Sequence, residues 1–177
     1  MIVIFCYSGE PHPLAVSAVE KYAKQAKFIE NIRLFDYNRA IASHWTAEED
    51  LVVIEGDKEI GPDTLPSFEA CSEPWCTYAC ETFPPPYTRV TTTGLACAKF
   101  SAECQMMIST DDFLRPDYPM REPCQDCGGR GCWRYLDTRI ATAILNKCVA
   151  MAPHVHGRVK HHHEYPPDWA QRKGLVS

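Results

Sequence analysis

The chain has 177 residues and an apolar share of 45%, enough for one packed domain with at most a small insertion. A formal net charge of −5 argues against a broad nucleic-acid footprint, though a local basic groove remains compatible with it. No apolar run reaches the ~18 residues of a membrane-spanning helix, and the opening MIVIFCYSG lacks the basic start of a signal peptide, so a cytoplasmic protein is expected.

Ile2 to Tyr7 is the first predicted strand. Ser8 to Pro13 is a turn rich in Gly and Pro. Leu14 to Ala26 is a helix whose apolar stripe is Leu14, Val16, Ala18, Val19 and Tyr22. Ile32 to Phe35 reads as a second strand ending at Asp36, and Ile41 to Glu49 as a short helix or turn. Leu51 to Ile54 is a buried strand. This alternation predicts a parallel sheet with right-handed crossovers.

Farther along, Pro62 to Ala70 is a short helix and Glu73 to Tyr78 an edge strand. Thr82 to Tyr87 is a stiff proline loop, and Val90 to Ala98 starts as a β-branched strand. Phe100 to Ile108 is a helix, and Ser109 to Gly131 a loop or small metal-stapled insertion. Trp133 to Val149 is the longest helical pattern, ended by Pro153. A polar, His-rich tail follows.

The strand Leu51–Ile54 runs directly into Glu55-Gly56-Asp57. Two carboxylates therefore stand one residue apart at the carboxyl end of a strand, where open α/β sheets bind ligands. On extended backbone, alternate residues point the same way, so Glu55 and Asp57 can converge on one cation. Gly56 between them is expected to leave room for a bulky group. An acidic, solvated turn is the plainer reading of the same residues.

Taken in order, the βαβ half, the Glu-x-Asp strand end, the segment Gly94-Leu95-Ala96-Cys97-Ala98-Lys99-Phe100-Ser101, the helix around Asp137 and the closing histidines resemble the GT-A glycosyltransferases. The small family-2-like members of bacterial and phage type are the most similar. The resemblance implies an α/β fold: a single GT-A-like (Rossmann-like) domain with a mainly parallel sheet, flanking helices and a small Cys-rich insertion. Residues 1–60 would be the nucleotide-binding half. Residues 61–177 would be the acceptor half, with the Cys-rich loop at 121–132 and the His-rich tail at 153–165.

The resemblance also implies roles. Glu55 and Asp57 would hold Mn²⁺ or Mg²⁺ on a nucleotide-sugar donor, with His154 or His156 completing the metal shell and His161, His162 and His163 as rivals. Tyr7, Ser8 and Asp36 would hold the nucleotide, and Gly94 would line the donor–acceptor cleft. Asp137 would be the catalytic base. Two positions depart from the family pattern: the first acid is Glu55 rather than Asp, and Leu136 precedes Asp137 where a Glu is usual. Phage enzymes of this type suggest a hydroxylated base in DNA as acceptor. Lys99, Arg115, Arg121, Arg130, Arg134 and Arg139 would then be the candidates for phosphate contacts.

The chain has ten cysteines. Without an export signal they read as reduced thiols or metal ligands rather than disulfides. Cys124-x-x-Cys127 with Cys132, set among glycines, suggests three ligands of a structural Zn²⁺. Cys71, Cys76, Cys80, Cys97, Cys104 or a His would supply the fourth. Cys6 and Cys148 sit in apolar patterns and read as core. Two further readings stay open: a nucleotidyltransferase on the same sheet, and a zinc-binding interaction module in which the cysteines are the functional centre.

Overall fold

The computed structural model describes residues 1–31, 36–81, 90–91, 94–114 and 136–162. Strand β1 (Ile2–Tyr7) pairs in parallel with β2 (Lys27–Glu30) on one side and β3 (Leu51–Glu55) on the other. Helix α1 (Pro13–Tyr22) makes the first crossover, with Pro13 supplying a preset φ at the helix start. Helix α2 (Asp36–His44) makes the second. A two-residue strand, β4 (Lys58–Glu59), leads to α3 (Thr64–Ala70).

The second half adds β5 (Trp75–Glu81), β6 (Val90–Thr91) and β7 (Cys97–Phe100). Three helices follow: α4 (Ala102–Met107), α5 (Thr110–Leu114) and α6 (Leu136–Asn146). Ser101 caps α4 by accepting a hydrogen bond from the Cys104 amide at 3.0 Å. The final described strand is β8 (His154–His161).

The strand order is β2-β1-β3-β7-β5-β8-β4, with β6 paired to β5. The α/β class is as the sequence predicts, and the sheet is mixed. β7 runs antiparallel to both β3 and β5, while β8 returns parallel to β5. Side chains of β1 and β3 alternate between two apolar clusters, as the twofold strand period requires. Ile4, Leu51 and Val53 pack with α2, α4, α5 and α6 on one face. Val3, Phe5, Val52 and Ile54 pack with α1 and α3 on the other. The result is a three-layer sandwich with the sheet in the middle.

Five expectations change. The second strand is Lys27–Glu30, earlier than the Ile32–Phe35 expected, and 32–35 lie outside the described residues. The Trp75 strand is flanked by β7 and β8, so it is central and not an edge. The segment after Gly94 enters β7 before reaching a helix at Ala102. The His-rich segment, read as a tail, is a strand inserted between β5 and β4. Cys148 is also exposed, in a left-handed turn with φ 55°, and is not core.

Candidate functional site

The strand order around β1 reverses: β2 lies on one side and β3 on the other, both parallel to it. In open α/β sheets, ligand crevices form outside the carboxyl ends of the strands at such a point. Two chain segments meet there, Tyr7-Ser8 from β1 and Glu55-Gly56-Asp57 from β3. The Gly56 amide donates to the Cys6 carbonyl at 2.8 Å, and the His12 amide donates to the Gly56 carbonyl at 2.9 Å. A Cβ built on Gly56 would stand 2.4 Å from the Tyr7 Cβ. Gly56 is therefore filled by its neighbour and does not leave room for a bulky group; it lets the two strand ends close up.

Glu55 and Asp57 do converge on one cation, and that cation is Lys58. Its Nζ contacts Asp57 Oδ1 and lies 3.5 Å from Glu55 Oε2. The lysine side chain is only 3% exposed. Glu55 also accepts a hydrogen bond from the Tyr37 hydroxyl at 3.1 Å. On the other side of Asp57, His161 Nε2 lies 2.8 Å from Oδ2, and the His162 amide donates to the Asp57 carbonyl at 2.8 Å. His162 reaches Glu59 at 2.7 Å and stacks on His12 at 4.1 Å, nearly coplanar at 3°.

The two carboxylates are held differently. Burial raises the Glu55 pKa, with Asp57 and Asp137 adding to it, against the opposing pull of Lys58 and Tyr37. Burial would raise Asp57 too. There the hydrogen bond from His161 and the charge of Lys58 outweigh it and hold the carboxyl well below the usual range. Glu55 nevertheless keeps 35% of its side-chain exposure.

Asp137 opens α6 and accepts from the Thr138 amide at 2.7 Å. Burial raises its pKa, partly opposed by the Thr138 hydrogen bonds and Arg139. Its charge raises both Glu55 and the Tyr37 hydroxyl. Asp137, Tyr37 and Glu55 therefore lie within electrostatic reach of one another, although 137 and 55 are far apart in sequence. Gly94 leads the segment that runs beside Glu55, whose amide donates to the Ala96 carbonyl at 2.9 Å. Asp36 starts α2 and faces Arg39 at 3.6 Å. Ser8 is an exposed turn residue after β1.

His154 and His156 sit at the opposite end of β8 from His161. Cys71 Sγ lies 3.2 Å from His154 Nδ1. Cys71, Cys76 and His156 form a group able to hold a metal ion, with ligand atoms all within 4.8 Å of one another. It is the histidine at the far end, His161, that accompanies Asp57. Cys124, Cys127 and Cys132 lie outside the described residues. Cys6, Cys80 and Cys104 are buried thiols, pushed by burial to about 12, 11 and 12.

Two of the cations expected to meet DNA phosphate are inside the fold. Lys99 is 1% exposed, donating to the Phe68 and Cys71 carbonyls, and Arg139 is 2% exposed. Neither can reach a backbone phosphate. Arg115, Arg121, Arg130 and Arg134 lie outside the described residues.

Two residues at this site, Lys58 and Tyr37, have little signature in the local sequence. A lysine after an acidic turn looks solvated, and nothing local shows that β8 will cover it. Tyr37 carried a faint signal, as an aromatic beside Asp36 in a helix start.

No family profile matches the chain, and no curated protein does. Solved structures do match. A197 from STIV superposes with a TM-score of 0.51 at 7% identity, covering 94% of this chain and 87% of that one. A glycosyltransferase involved in the glycosylation of the major capsid of PBCV-1 superposes with a TM-score of 0.50 at 12% identity, covering 99% and 98%. A 4-diphosphocytidyl-2C-methyl-D-erythritol synthase from Anaerococcus prevotii DSM 20548 gives 0.46 at 8% identity, covering 88% and 86%. At these identities the first two establish a shared GT-A-like fold. Among the described residues, no helix is long and apolar enough to cross a membrane.

Proposed function

We propose that this chain is a metal-dependent glycosyltransferase that moves a sugar from a nucleotide-diphosphate donor to an acceptor hydroxyl. The observation that carries the reading is the convergence of Glu55 and Asp57 on one cation at the β1/β3 switch point, within electrostatic reach of Asp137.

The donor set fits a hard divalent ion. Two carboxylates point at a single positive charge, and His161 on Asp57 offers a nitrogen nearby. In this structure Lys58 takes that position, so loading an ion requires its ammonium to swing aside. When bound, Mn²⁺ or Mg²⁺ would supply charge neutralisation for the leaving diphosphate.

The chain's own residues do the rest. Tyr7, Ser8 and Asp36 border the crevice as nucleotide contacts, and the Gly94 segment forms the wall beside Glu55. The Asp137 carboxylate takes the proton of the acceptor hydroxyl. The acceptor oxygen bonds to the anomeric carbon as the bond to the diphosphate oxygen breaks, and the diphosphate leaves with the electron pair. Burial raises the pKa of Asp137, which makes its carboxylate a stronger base than an ordinary Asp.

Calorimetric titration with UDP, GDP, ADP, CDP and TDP, with and without Mn²⁺, tests the reading. Metal-dependent binding of one diphosphate, lost in Asp57→Ala, is expected. Absence of binding under every condition would sink the proposal.

A further inference from the structure

Cys71 closes α3, its amide donating to the Phe68 carbonyl at 3.3 Å. Cys76 lies on β5 and is fully buried. β8 pairs in parallel with β5, placing His154 opposite Cys76 and Val155 opposite Thr77. The register then shifts, so that Gly157 faces Tyr78 and His156 faces no residue. An extra residue of this kind bends the strand and re-aims a side chain. Here the bulged residue is the histidine whose ring nitrogen joins the two thiols.

The ligand atoms of Cys71, Cys76 and His156 lie within 4.8 Å of one another. His154 Nδ1 is 3.2 Å from Cys71 Sγ, and its ring lies 4.6 Å from that of His156. In a tetrahedral site with Zn–S and Zn–N bonds of about 2.3 and 2.0 Å, neighbouring ligand atoms are roughly 3.3–3.8 Å apart. Three of the ligand atoms are already grouped, and His154, in contact with Cys71, is the nearest candidate for the fourth.

A second observation concerns His156 itself. Its Nε2 is buried and has no hydrogen-bond partner among the described residues, a state that folded proteins avoid. The ring is nonetheless fixed in orientation. Phe68 meets it edge-on at 5.5 Å and Tyr78 stacks at 5.6 Å. Lys99, itself buried, donates to the Cys71 carbonyl at 2.6 Å and brings a positive charge beside the thiol pair.

We infer that Cys71, Cys76, His154 and His156 form a closed Cys2His2 site for a structural Zn²⁺ that ties the end of α3 to β5 and β8. Two thiolates and two imidazoles select zinc over the hard ions that suit Glu55 and Asp57. The site is independent of the transferase reading and of the Cys124–Cys132 cluster.

The full-length chain, purified under argon with zinc in the growth medium, provides the test. Elemental analysis should find zinc that Cys71→Ser and His154→Ala lose while Cys124→Ser/Cys127→Ser keeps. Both altered residues lie toward the surface, so the fold should survive. Zinc affinity in either variant should fall by more than about tenfold. Co²⁺ added to the metal-stripped wild type should give the visible bands of a tetrahedral ion with thiolate charge transfer, which histidine-only binding cannot produce. A wild type with no zinc and no thiolate–cobalt band overturns the inference. So does a band unchanged by Cys71→Ser, or a Cys71–Cys76 disulfide in the argon-purified protein.

Discussion

A lysine that is 3% exposed between two carboxylates is held by charge as much as by packing. Desolvating an ammonium is costly, and only the paired charges make its position tenable. Replacing Lys58 by Met should therefore leave Glu55 and Asp57 facing each other uncompensated. We expect Lys58→Met to lower the melting temperature in metal-free buffer. Mn²⁺ should recover much of the loss, with a larger shift than in wild type, as thermal scans with and without the ion would show. Asp137 allows a separate test. Asp137→Asn should lower kcat by about 10²–10⁴-fold and leave diphosphate binding in place. Because burial raises its pKa, and a base must be ionised to act, wild-type kcat should rise with pH through a value above the ~4 of an ordinary Asp. A pH–rate profile reads this directly. At this scale the sequence was partly legible. Glu55 and Asp57 stand out because they sit one residue apart at the carboxyl end of a buried strand, where open α/β sheets bind ligands. Lys58 did not, since its burial depends on His161, 104 residues from Asp57.

Among the elements, the β1/β3 pair sets the crevice, and one glycine sets how closely it closes. A Cβ at Gly56 meets Tyr7 backbone and Cβ, neither of which can rotate away. Gly56→Ala should cost about 1–3 kcal/mol of stability, measurable by urea denaturation, and should weaken diphosphate binding by moving Glu55. The first-half elements were legible because each is local: an apolar run, a turn, an amphipathic helix. The strand at Trp75 reads as an edge because its aromatic and polar mixture suits one-sided exposure. What buries it is β7 on one side and β8 on the other, and neither is visible from its own residues. The His154–His161 strand was hidden by composition, since histidine and lysine are poor strand signals.

For the molecule as a whole, the three-layer arrangement followed from alternating strand and helix patterns, while the sheet's mixed direction did not. A parallel sheet was predicted because β1, β2 and β3 read as repeated βα units. The later strands carry no directional signature, and β7 turns back against both neighbours.

Strand β8 carries a consequence for how the molecule comes together. Among the described residues, β4 pairs with no strand other than β8. During synthesis, Lys58 and Glu59 emerge from the ribosome about a hundred residues before the strand that pairs with them. Until then one flank of β5 is also bare. The acidic strand end therefore exists early as sequence and late as a site, completed only when the histidine strand slots between two waiting partners. Such long-range closure is slow compared with the local βα units that precede it. The crevice is thus among the last parts of the fold to be finished.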